Sequence, residues 1–96
     1  MSVSAYSVVT TAHFDRLLKK LAPKHPELVE RFEEALEILS LDPFNKSHKY
    51  PTKKLKEVAA GEGQYRLRSG RFRFRYDVAE RELVMHYCGL RREDTY

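Results

Sequence analysis

Over residues 65–78 the chain alternates large apolar residues with arginine, and this alternation restricts its fold more than any other feature. Tyr65 and Leu67 are interleaved with Arg66 and Arg68. After Ser69-Gly70, residues Phe72, Phe74, Tyr76 and Val78 are interleaved with Arg71, Arg73, Arg75 and Asp77. Side chains two positions apart share one face of a β-strand. The pattern therefore predicts strands over 64–69 and 71–78, joined at a glycine that tolerates the positive φ of a tight turn. One face of this hairpin is aromatic and must be covered. The other carries Arg66, Arg68, Arg71, Arg73 and Arg75.

Upstream residues supply the cover. Phe14, Leu17, Leu18 and Leu21 recur at helical spacing, with Thr10 or Thr11 placed to cap them and Pro23 ending the helix near Ala22. Pro26 suits the first turn of a second helix, where its missing N–H costs nothing. Leu28, Phe32, Ala35, Leu36 and Leu39 extend the apolar stripe as far as Asp42-Pro43. Two helices joined by a short Pro-containing turn form an antiparallel hairpin. Residues 5–9 read as a first strand, 44–52 as a loop, and 82–88 as a strand apolar enough to be central. The expected order is βααβββ. It describes an α+β fold: a small antiparallel sheet with an N-terminal helical hairpin packed on one face. A chain of 96 residues buries about 60–65% of its unfolded surface around one core, so 1–96 reads as a single domain.

Charge adds the first functional constraint. Residues 1–48 carry six Lys/Arg against seven Asp/Glu, whereas residues 49–96 carry twelve against seven. Cationic charge concentrated in half of a small domain points to phosphate-bearing or acidic partners. No apolar run approaches a membrane span, and the N-terminal residues lack the blocks of a secretory signal, so no membrane and a cytoplasmic location are expected. Cys88 is the only cysteine; it reads as a small core residue, and no Cys/His spacing suggests a metal site. Like charges facing each other across a sheet repel, and lysine or glutamate would solubilise the face with less repulsion. Arginine adds planar, bidentate recognition of phosphate. The arginine face therefore reads as a nucleic-acid surface, with Lys53, Lys54 and Lys56 adjoining it.

Several segments together resemble the RelE/ParE superfamily of bacterial toxins. They are the Phe14…Leu17…Leu21 helix, Lys54-Leu55-Lys56, Gly63-Gln64-Tyr65-Arg66-Leu67-Arg68, Arg71-Phe72-Arg73-Phe74-Arg75-Tyr76, and Gly89-Leu90-Arg91-Arg92-Glu93-Asp94-Thr95-Tyr96. The last two are the most specific. The resemblance implies the toxin of a type II toxin–antitoxin system, neutralised by a cognate acidic antitoxin. RelE-type members cut messenger RNA on the ribosome; ParE-type members inhibit DNA gyrase. The RelE branch is favoured because Arg66 and Arg68 match the two strand lysines of RelE and Arg73 its third-strand arginine. Arg91 matches the arginine after the C-terminal glycine, and Tyr96 matches the C-terminal tyrosine, with one residue fewer between Gly89 and Tyr96.

That branch implies a ribosome-dependent endoribonuclease in which the ribose 2′-OH attacks the adjacent phosphate without metal or other cofactor. Arginine remains protonated below about pH 12, so Arg66 and Arg68 can stabilise the phosphorane but cannot take the 2′-OH proton. The base is sought among Tyr96, His86, His48, Lys53 and Lys54, with Arg91 at the leaving group. Lys53, Lys54, Lys56, Arg71, Arg75 and Arg92 are assigned to RNA binding. The alternatives are a non-nucleolytic gyrase inhibitor and an inactive RNA- or antitoxin-binding module.

Overall fold

The structure, a computed structural model, describes residues 6–46, 51–59 and 61–90. Strand β1 (Ser7–Thr10) runs directly into helix α1 (Ala12–Leu21). Thr11 sets the helix start: its Oγ1 accepts the Phe14 N–H at 3.0 Å, satisfying a donor that a helix end leaves without a partner. Helix α1 closes at Ala22, in front of Pro23. Helix α2 (Glu27–Leu41) begins behind Pro26 and stops at Asp42, before Pro43. Strands β2 (Thr52–Lys54), β3 (Tyr65–Ser69), β4 (Phe72–Ala79) and β5 (Glu82–Leu90) follow.

The expected α+β architecture is present, with the helices N-terminal and most of the sheet C-terminal. The sheet differs from expectation in two respects. Its order is β1-β5-β4-β3-β2, and β1 lies parallel to β5, from Ser7 opposite Glu82 to Thr10 opposite Met85, so the sheet is mixed rather than wholly antiparallel. The alternation of side chains along a strand carries no information about the direction of its neighbour. In addition, the basic segment after the loop contributes the edge strand β2, antiparallel to β3. Three residues are too few for a period of two to register.

Phe14, Leu28, Ala35, Leu39, Leu67, Phe72, Phe74, Tyr76, Leu83, Met85 and Cys88 are fully or almost fully buried and form one core cluster. The helices reach the sheet through rings: Phe14 packs on Phe32 at 5.1 Å between centroids, and Phe32 stacks on Phe74 at 6.0 Å. Tyr76 stacks on Tyr65 and donates its hydroxyl to the Pro43 carbonyl at 2.6 Å, tying the end of α2 to the sheet. Burial of this phenol holds its pKa well above the ordinary tyrosine value. Burial likewise pushes the Cys88 thiol up, to about 11.

One acid is also buried. Asp77, on the arginine side of β4, accepts the Gly63 N–H at 2.9 Å, the Gln64 N–H at 3.0 Å and the His86 Nε2 at 2.8 Å. His86 is the extra residue of a β-bulge, since Arg75 faces Tyr87 while Tyr76 faces Met85. Gly63 has φ 83°, a backbone conformation that favours glycine, and a β-carbon there would lie a tight 3.1 Å from the Arg75 Cβ.

Two expected outcomes follow from this packing. Asp77→Ala leaves two backbone donors and an imidazole without their acceptor, at a cost of about 2–4 kcal/mol in urea unfolding, with faster amide exchange at Gly63 and Gln64. For Cys88, the native thiol binds a proton more tightly than the unfolded one. Its contribution to stability is therefore complete below about pH 9 and is lost as pH rises through about 11. A disulfide reagent at pH 8 should modify Cys88 only after denaturant is added.

Candidate nucleic-acid interface

The β3–β4 register places Arg66 directly opposite Arg75, and Arg68 opposite Arg73. Each facing pair of like charges works against the hairpin by a few tenths of a kcal/mol to about 1 kcal/mol. Backbone carbonyls restrain one of these cations: Arg75 Nε donates to the Gly63 carbonyl and Nη2 to the Glu62 carbonyl, each at 3.1 Å. Arg66, Arg73 and Arg75 then line a cleft of about 480 Å³ together with Leu55 and Tyr87. The Nε atoms of Arg66 and Arg73 are out of solvent, so both side chains are partly embedded in this surface. A site of this kind attracts anions, and guanidinium groups in reduced dielectric bind phosphate oxygens more strongly than they do in open water.

The remaining expected residues divide by position. Arg68 is exposed beside Arg73. Lys53 lies opposite Arg66 on β2 and so shares the arginine face. Lys54 does not: it lies opposite Tyr65, and its Nζ is 5.8 Å from the centre of that ring, on the core side of the sheet. Lys56 is exposed in the turn after β2. Arg71 was expected on the arginine face but occupies the turn between β3 and β4. There its Nη1 is 3.4 Å from Glu27 Oε2 at the start of α2, because a turn residue is not bound by the alternation of the strands. His86 does not line the cleft; its Nε2 is committed to Asp77 beneath the 61–64 loop. Arg91, Arg92 and Tyr96 lie outside the described residues, as does His48.

Two cleft residues were not assigned to the site from sequence. Tyr87 shares a face with Gly89 by the period of two, and an aromatic residue two positions before glycine near an arginine strand is the signal that could have found it. Leu55 is half-buried at the cleft, positioned by its N–H, which donates to the Gln64 carbonyl at 2.7 Å.

No protein-family model matches the chain, and no curated protein matches it. Among solved structures it is similar to a chain in the crystal structure of the toxin–antitoxin complex RelBE2 from Mycobacterium tuberculosis. The identity is 28% and the TM-score 0.67, over 91% of this chain and 99% of that one. A likeness spanning nearly both whole chains, joined to the arginine–aromatic hairpin and the two N-terminal helices, supports the resemblance to the RelE/ParE superfamily of toxin–antitoxin toxins.

Proposed function

We propose that the protein is a RelE-type toxin that cuts messenger RNA on the ribosome and so stops translation. The observation that carries this reading is the convergence of Arg66, Arg73 and Arg75 on one cleft. Three guanidinium groups there suit a phosphodiester whose negative charge increases as the 2′-oxygen attacks. The charge of the pentavalent phosphorane falls on oxygens that fixed cations stabilise better than water does, by about 3–4 kcal/mol for each well-placed donor. The same cations favour anions over a metal ion in the cleft, in keeping with attack by the 2′-OH and departure of the 5′-oxygen without metal. Arginine does not take up the 2′-OH proton, so that role falls to another group, and Tyr96 remains the proposed one. Arg91 is proposed at the leaving oxygen, with Arg68, Lys53, Lys56 and Arg92 along the RNA path.

The proposed regulatory partner is an acidic antitoxin segment that competes with RNA for these cations. Among the described residues no helix is long and apolar enough to cross a membrane. Action on ribosomes and mRNA in the cytoplasm is part of the same proposal.

Toe-printing on translating ribosomes tests it. Arg66→Ala and Arg73→Ala should each lower cleavage about a hundredfold or more while the circular dichroism spectrum and melting remain near wild type. Relief of cross-strand repulsion offsets part of the packing lost with each arginine stem. Intact mRNA combined with inhibited DNA supercoiling would assign the protein to the gyrase-directed alternative. Affinity for single-stranded RNA should also fall steeply with salt, with a slope of roughly −0.7 for each phosphate contacted. Three engaged arginines give a slope near −2, and a flat profile would remove the arginine face from the interface.

A further inference from the structure

Tyr87 and Gly89 occupy successive positions on one face of β5, opposite Arg75 and Arg73 respectively. The Tyr87 ring lies across Gly89. A β-carbon at position 89 would come within 2.3 Å of the tyrosine hydroxyl oxygen, 2.7 Å of Cζ and 3.0 Å of Cε2. Real β-carbons do not approach other atoms so closely, so any other residue at 89 lifts the ring. Gly89 is not in the left-handed backbone region. Its lack of a side chain, rather than its conformational freedom, is what the site uses. The Tyr87 ring is thus supported from beneath by backbone, and the residue stays 36% exposed at the cleft.

The cleft combines two chemistries. Arg66, Arg73 and Arg75 offer positive charge, while Leu55 and the Tyr87 ring offer apolar surface. A ligand that satisfies both has an anionic group and a flat apolar group a short distance apart. A nucleotide has this form, and about 480 Å³ is within the range of pockets that enclose molecules of that size. We propose that Tyr87 is a stacking platform for a nucleobase, held flat by Gly89, with Leu55 as the second apolar wall and the adjoining phosphate on the arginines. The proposal rests on the RNA reading above and gives it a defined contact. Stacking on an aromatic face is available to every base, so the platform positions the strand rather than selecting a sequence.

The test compares two probes of equal charge: a five-nucleotide 2′-O-methyl RNA, which cannot be cut, and a five-unit abasic sugar–phosphate. The wild-type protein should bind the base-bearing strand about tenfold or more tightly than the abasic one. Tyr87→Leu should bring the two affinities together while leaving the salt dependence of both, since the arginines are untouched. Tyr87→Phe and Tyr87→Trp should restore the preference, because stacking needs only a ring. Gly89→Ala retains the tyrosine but displaces it, and should reduce the preference as Tyr87→Leu does. Equal wild-type affinities with a normal salt slope would overturn the platform and leave the RNA reading in place. So would a Tyr87→Leu variant that keeps its preference, or a Tyr87→Phe variant as impaired as Tyr87→Leu, which would make the hydroxyl the contact. Failure of the wild-type protein to bind either probe would overturn the platform and the RNA reading together.

Discussion

The register between β3 and β4 determines the rest of the molecule. With Leu67 opposite Phe74 and Tyr65 opposite Tyr76, every aromatic residue of the hairpin faces the helices and every arginine within its strands faces away. A slip of one residue would reverse both faces. Full burial of Leu67, Phe72, Phe74 and Tyr76 contributes about 1.5–3 kcal/mol each, or roughly 6–12 kcal/mol in all. The repulsion of two facing arginine pairs is at most about 2 kcal/mol. The apolar face therefore prevails, and the arginines are forced together on the other side. Their crowding is a by-product of core formation that leaves a cluster of positive charge suited to an anion.

The cleft owes its remaining parts to the 61–64 loop. Asp77 holds this loop by its amides at Gly63 and Gln64, while Arg75 holds it by its carbonyls at Glu62 and Gly63. Gln64 in turn accepts the N–H of Leu55, which fixes that residue at the cleft. A buried carboxylate thus positions an apolar wall through Gln64, whose N–H it accepts and whose carbonyl accepts from Leu55. This arrangement accounts for an acid on a strand face otherwise occupied by arginine, and for the hydrogen bond that takes up the His86 Nε2.

Much of this was legible in the sequence, for identifiable reasons. The strands over 65–79 and both helices have strong periods and proline or threonine boundaries, and the structure follows them within a residue or two. Arg66 and Arg73 converge as strand parity requires. Arg71 escaped because it lies in the turn, where parity lapses, and Lys54 because the three residues of β2 are too few to display a face. Tyr87 escaped because β5 is mixed in polarity, and its importance depends on what Gly89 lacks. The β-bulge at His86 was equally hidden, since an inserted residue shifts the phase of everything after it.

The parallel pairing of β1 with β5 has a consequence for biosynthesis. Ser7 lies beside Glu82, about seventy-five positions later in the chain, and α1 packs mainly against the same late strand. Synthesis runs from the N-terminus, so the first strand and first helix emerge long before the surface that receives them. Contacts so distant in sequence also form slowly once they are available. A translation product interrupted before β5 would lack the docking strand, the bulge and Tyr87 all at once. Incomplete copies of the protein would be unable to assemble the cleft, so any harmful activity would be confined to chains whose synthesis had passed β5.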